Sequence, residues 1–196
     1  MLIFFGIIHL DVFAILLIAV LLGLWLRGKS RSYLFFAAIF GIYMIAVLSV
    51  VIFPIHIPQA NSGFAHQMSF NLHPLYFGRC DFIGLCLRTI YENILLTVPF
   101  GFGISFLVNV KSKNVLWLAM SVGVVFELAQ SLLSFIFHSP FRVIDINDII
   151  LNSMGILIGY AVFRLFGWLY LSIASRFQIL SKYSFAYIYE VVRQSH

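Results

Sequence analysis

Of the 196 residues, 62% are hydrophobic and 10% are charged, against roughly 25% charged in soluble domains. The net charge of +5 rests mainly on short Lys/Arg clusters between apolar runs, at Arg27, Lys29 and Arg31, at Lys111 and Lys113, and in the tail at Arg176, Lys182 and Arg193. No basic run is long enough to follow a phosphate backbone, so nucleic acid is excluded as a partner, and the expected class is an all-α polytopic membrane protein.

Five runs reach or approach the ~20 apolar residues needed to cross a ~30 Å hydrocarbon core: about 2–26, 33–53, 90–109, 115–137 and 148–170. The first has no basic leader and no small-residue cleavage site, and it exceeds a signal-peptide core, so it reads as a retained span. His9 and Asp11 within it stand two residues apart on different helix faces, which argues against a catalytic dyad. They pair with each other or face polar groups elsewhere. The connector 54–89 is rich in Pro, Gly, Asn and Ser, which disfavours a continuous helix, and its aromatics suit the membrane interface. His56, His66 and His73 lack metal-ligand spacing there. Cys80 and Cys86 are too few for a zinc site and, six apart on a helix, are expected as free thiols.

The third span carries Glu92, Asn93, Thr97 and Pro99, with Gly101 and Gly103 keeping it narrow. In the fourth, Glu127, Gln130, Ser131 and Ser134 recur at one-face helical spacing, the two serines bonding their own backbone. In the fifth, Asp148, Asn152, Gly155 and Gly159 form a stripe whose glycines allow close helix approach. The tail, 171–196, reads as an amphipathic interfacial helix, or as an incomplete sixth span. No internal repeat is visible, and residues 1–170 read as one transmembrane domain.

Placing the basic clusters in the cytoplasm gives five spans with the N-terminus out and the C-terminus in. Six acids, Asp11, Asp81, Glu92, Glu127, Asp145 and Asp148, then fall in the outer half with Arg79, Arg88 and Arg142, and only Glu190 lies inside. An ionisable group in a span marks a functional site by default. The segregation therefore predicts an outward-facing polar cup floored by Glu127, with Gln130, Asn93, Asn152 and Arg142 solvating its carboxylate.

The segments "YENILLTVPFGFGISFL", "FELAQSLLSF" and "FRVIDINDIILNSMGILIGY", with "NLHPL" upstream, resemble the VanZ-like family. Its pattern of Asn, Pro-x-Gly, Glu-x-x-Gln, Arg-x-x-Asp-x-x-Asp and Asn-x-x-Gly falls here on Asn93, Pro99, Glu127, Gln130, Arg142, Asp145, Asp148, Asn152 and Gly155. The resemblance covers about residues 40–165 and departs in one place, with Thr97 in an aromatic slot. It implies a multi-pass protein of the bacterial inner membrane, in a family whose founding member is associated with teicoplanin-type lipoglycopeptide resistance.

Three function classes follow. In the first, the cup binds or processes an outer-leaflet lipid-linked or cell-wall-related ligand. Glu127, Asp145, Asp148 and Arg142 are then the candidate catalytic groups, as carboxylates able to divide acid and base roles. Gln130, Asn93, Asn152, Glu92, Asn71, Arg79 and Arg88 are the candidate ligand contacts. A variant holds Mg, Mn or Ca between Asp145, Asp148 and Glu127, since oxygen ligands favour hard cations. The second class is a small transporter or flippase, disfavoured by polar residues crowded at one side. The third is a scaffold whose buried polar groups only hold the helices together. Whether the protein is an enzyme, and in what oligomeric state it works, stay open at this point.

Overall fold

The computed structural model describes residues 2–3, 7–52, 55–56, 69–77, 83–136, 143–177 and 183–195. Six α-helices dominate it: α1 (Ile7–Leu26), α2 (Arg31–Ile52), α3 (Ile83–Gly103), α4 (Val115–Ile136), α5 (Ile146–Phe177) and α6 (Tyr183–Ser195). Two strand pairs of two or three residues were not expected from the sequence. β1 (Leu2–Ile3) pairs antiparallel with β2 (Ile55–His56), and β3 (Ser69–Asn71) pairs parallel with β4 (Val143–Asp145).

Three helices are long and apolar enough to cross a bilayer, over Arg31–Val51, Ser112–Leu133 and Ile146–Ala174, and α1 adds a shorter apolar stretch, Leu10–Leu26. Their outward surfaces present Ile15, Ile42, Trp117 and Trp168, as lipid-facing helices do. This is a multi-pass membrane protein. The third predicted span is a helix of 21 residues but starts earlier and stops earlier than expected. Leu107 and Val108 both turn their N–H groups back onto the carbonyl of Ile104, closing the helix through a 3₁₀ turn at Ile104–Phe106. In contrast, α5 continues past residue 170 to Phe177, because its last third contains no proline and one glycine. At 32 residues it is about 48 Å long, beyond what a ~30 Å core requires.

The α1–α2 turn shows local chemistry at work. Gly28 adopts φ +75° where a side chain would be strained, and Ser30 caps α2 by accepting the N–H of Tyr33 at 3.2 Å.

The centre of the bundle is the seam between α3 and α5, which run parallel. A Cβ built on Gly101 would lie 2.0 Å from the carbonyl oxygen of Ile156, one on Gly155 2.1 Å from Thr97 Oγ1, and one on Gly159 2.0 Å from the carbonyl oxygen of Val98. Backbone meets backbone, so nothing larger than glycine fits. The α4 helix packs antiparallel on the other side of α5, with Gly123 against the carbonyl of Ile149 and Ser153 donating to the Ala119 carbonyl at 3.1 Å. The α2 helix closes the assembly through Val47, Val51 and Phe126, while α1 packs chiefly on α2. Asp11 is exposed there rather than turned to a polar cup.

The tail reading is refined. With 13 residues, about 20 Å, α6 is too short to be a span. It docks on the bundle, burying Val192 completely among Phe106, Val110, Tyr160 and Phe163. Arg164 ties it down by donating to the Ser195 carbonyl at 2.8 Å and to Ser112 Oγ at 2.9 Å.

Gly159→Val should therefore destabilise the bundle by about 1–3 kcal/mol, the usual range for overpacking. Gly23→Ala, where nothing lies within 4 Å, should be neutral or slightly stabilising. Thermal unfolding of the two variants in one detergent checks both.

Candidate functional site

Helix register fixes the depth of the candidate site. Glu127 on α4 lies level with Asp145, and Gly123 with Ile149. Yet α4 continues nine residues past Glu127, from Leu128 to Ile136, about 13 Å. The start of α5, together with β4 and its partner β3, is thus recessed below the end of α4. Chain that is not helical at this depth must have its polar groups met by protein or by a water-lined cavity.

Side chains meet them. Glu127 is 4% exposed, and its Oε1 accepts the amide N–H of Asp145 at 3.0 Å. Asn147 is 1% exposed and bonds three backbone groups of the 71–77 segment. Its Oδ1 accepts the N–H of Leu75 at 2.6 Å, and its Nδ2 donates to the carbonyls of Tyr76 at 2.9 Å and His73 at 3.4 Å. Asn71, in register with Asp145 across the β3–β4 pair, donates to the Tyr76 carbonyl at 2.8 Å and to both carboxylate oxygens of Asp145 at 3.1 Å. Asp145 Oδ1 also accepts the N–H of Asn147 at 2.8 Å. Within this turn Leu75 is held at φ +63°, a left-handed conformation costly for a residue with a side chain.

Beside this turn stands the α3–α5 seam. Asn93 Nδ2 donates to Asp148 Oδ1 at 2.7 Å. One turn along, Thr97 Oγ1 reaches the carbonyls of Asn152 at 2.9 Å, Asn93 at 3.0 Å and Ile94 at 3.2 Å, and its single hydrogen serves one at a time. Asn152 is buried, and its Oδ1 has no hydrogen-bond partner among the described residues. On the far side, Gln130 donates to the Val51 carbonyl at 3.3 Å. Glu92 pairs with Arg88 through Nε at 2.6 Å, both side chains more than half exposed.

The structure therefore gathers Glu127, Asp145, Asp148, Asn71, Asn93 and Asn152 around one end of the bundle but redistributes their contacts. Glu127 accepts a backbone amide, that of Asp145, a contact not among the four side chains, Gln130, Asn93, Asn152 and Arg142, expected around it. Gln130 faces α2, because its position three residues along α4 turns it away from β4. Glu92 and Arg88 turn away from the β3–β4 turn, toward the open space beside α2. Ser131 bonds its own backbone as expected, donating to the Glu127 carbonyl at 2.7 Å. Arg142, Arg79, Asp81 and Cys80 lie outside the described residues, as do the side chains of Cys86 and Ser134. The divalent-cation variant does not fit this geometry. Among the described residues no three His, Cys, Asp or Glu side chains stand close enough to hold a metal, and the oxygens of Asp145 already receive hydrogen bonds from Asn71 and from the Asn147 amide.

Sequence reasoning missed Asn147. It sits between two aspartates in "DIND" and lies off the Asp148–Asn152 stripe. The usable signal was an asparagine at the start of a helix, facing an Asn- and Pro-containing turn far away in sequence.

A bundle of apolar helices with a recessed polar turn at one end defines a helical, multi-pass membrane protein. The chain belongs to the VanZ/LLP1 family, whose model matches residues 40–167, about two thirds of its length. The match begins within α2, covers α3 and α4 and ends within α5, leaving out α1 and α6. No curated protein and no solved structure matches the chain.

Asn147→Ala removes the side-chain acceptor of the Leu75 N–H and the side-chain donor to the His73 carbonyl in this turn. Each buried group left unmet costs about 1–3 kcal/mol, so the 71–77 segment should exchange its amide hydrogens markedly faster while α3 and α5 stay protected. Hydrogen exchange with mass spectrometry reads both regions in one experiment.

Proposed function

We propose that this protein is a bacterial cytoplasmic-membrane component whose recessed polar site meets a lipid-linked or cell-wall-related ligand at the outer leaflet, and that through it the protein contributes to tolerance of teicoplanin-type lipoglycopeptides. Five crossings, by α1 to α5, put the N-terminus outside and α6 in the cytoplasm, so that the β3–β4 end faces out. The clustering of Lys and Arg at the opposite end, in the 27–31 and 111–113 turns, supports that orientation.

The observation that carries the proposal is the cluster of Glu127, Asp145 and Asp148 about 13 Å below the end of α4. Carboxylates placed among apolar helices are expensive, and amides alone would satisfy a turn of backbone. Membership of the VanZ/LLP1 family supplies the link to the cell envelope. Asp148 is the group best placed to accept hydrogen bonds from a ligand's hydroxyls or amines, with Asn93 orienting it, while Asp145 adds its charge beside it. Whether a covalent step follows binding is a separate matter, and binding suffices for the proposal.

A scaffold reading has its own observation. Glu127, Asn71 and Asn147 all bond backbone groups of the recessed turn, which a purely structural polar core would also do. A transporter has none, because the polar residues crowd one end of the bundle.

Glu127→Gln separates the two. Glutamine keeps a carbonyl oxygen to accept the Asp145 N–H but loses the charge. Expressed at matched membrane levels in a teicoplanin-sensitive host, the wild type should protect and Glu127→Gln should not, while both show the same unfolding temperature. Equal protection by both would favour the scaffold. No protection by either would separate this protein from the resistance phenotype.

A further inference from the structure

Beside the recessed turn, a cavity opens sideways between α2, α3 and α4. Its volume is about 540 Å³, within the usual size of ligand sites. It exists because α2 meets α3 and α4 sparingly, whereas α3 and α5 pack closely through Gly101, Gly155 and Gly159. Val50 on α2 and Leu95 on α3 form apolar walls, both well exposed on lipid-facing sides of their helices. Toward the β3–β4 end the lining turns polar, with Arg88, Glu92, Asn93 and Gln130.

Three features point to the occupant. First, an apolar wall graded into a polar rim along a membrane helix matches an amphiphile lying parallel to the helices, and serves neither a soluble ligand nor a plain hydrocarbon. Second, Arg88 is the single Lys or Arg at this end among the described residues. Its contact with Glu92 uses Nε, and its two terminal nitrogens make no hydrogen bond to a described residue, so its planar fork remains available for a phosphate. Third, Asn93 and Gln130 each commit one amide hydrogen, to Asp148 and to the Val51 carbonyl, and each keeps a second N–H. Asn93 thereby borders both the cavity and the carboxylate cluster.

We infer that this cavity is a lateral entry site for an outer-leaflet lipid with an anionic phosphate headgroup. The phosphate sits at Arg88 with Asn93 and Gln130 as further donors, and the first methylenes of the tail run between Val50 and Leu95. The inference rests on the proposed function for its orientation and deepens it. It names the ligand as a phosphate-headed amphiphile, and it gives the route by which such a molecule reaches Asp148 from the bilayer without passing through water.

The test uses the full chain in nanodiscs of phosphatidylcholine with a minor fraction of phosphatidylglycerol, followed by native mass spectrometry of lipid retained after release into mild detergent. The wild type should retain phosphatidylglycerol over phosphatidylcholine. Arg88→Gln should reduce that retention about tenfold, the weight of one charged hydrogen bond. Val50→Trp, which fills the cavity from an exposed position, should reduce it comparably. Arg27→Gln at the opposite end should leave it unchanged. Unfolding temperatures equal to wild type exclude misfolding as the cause, and Leu95→Trp replaces Val50→Trp should that variant unfold. Equal retention by the wild type, Arg88→Gln and the tryptophan variant would overturn the inference, as would displacement of the lipid by millimolar inorganic phosphate, since a site for free phosphate needs no tail. The teicoplanin assay keeps the two readings apart. Lost retention with intact protection upholds the lipid site and uncouples it from resistance, whereas lost protection with intact retention overturns the lipid site and leaves the resistance role standing.

Discussion

Chain that leaves regular structure inside an apolar bundle must find a partner for every N–H and C=O it brings along. In this protein the 69–77 and 143–147 segments do so, and most of the polar side chains at that end can be understood as answers to that requirement. Asn147 serves the turn from one side and Asn71 from the other. Glu127 receives the amide at the point where β4 gives way to α5. The result is a pair of distant segments, some seventy residues apart in sequence, locked together by three side chains and a three-residue parallel strand pair. Bringing such remote segments together carries a loop-closure cost that grows only slowly with length, so a few good hydrogen bonds in a low-dielectric setting can hold them.

That arrangement depends in turn on the α3–α5 seam. Because Gly101, Gly155 and Gly159 let the two backbones touch, short side chains can bridge them. Thr97 reaches the carbonyl of Asn152, and Asn93 reaches Asp148. With bulkier residues at the seam the helices would separate by several ångströms, and neither bridge would span the gap. The glycines thus do more than permit packing: they set the distance at which the carboxylate of Asp148 is held by an amide on the neighbouring helix.

The tight seam also explains the looseness elsewhere. With α3 and α4 packed on α5, the α2 helix has only one face of α3 and α4 on which to lie. It is anchored toward the tail end by Phe36 stacked on Phe106, ring centroids 4.6 Å apart, and midway by Tyr43 donating to the Leu96 carbonyl at 2.5 Å. Toward the β3–β4 end the Gln130–Val51 contact is longer, 3.3 Å. A bundle tied at one end and relaxed at the other leaves a cavity beside the polar turn, while α6 seals the opposite end by burying Val192 among Phe106, Val110, Tyr160 and Phe163.

The amino-acid sequence alone determined the class of protein, the long helices, the family and several of the polar residues that gather at one end, among them Glu127, Asp145 and Asp148. Those properties follow from hydropathy over ~20 residues, from 3.6-residue periodicity and from ordered motif spacing, all of which are local or additive along the chain. It also marked Gly155 and Gly159 as a close-contact face. Only the tertiary structure decided who bonds whom. Gln130 lies three residues from Glu127 and shares its broad face, yet about 60° of helix rotation sends it to α2 while Glu127 meets β4. The strand pair could not be read at all, since three-residue strands have no periodicity to detect and their pairing is set by where α4 and α5 place their ends. Asn147 stayed invisible for the same reason: its partners lie more than seventy residues away, and only the fold makes them neighbours.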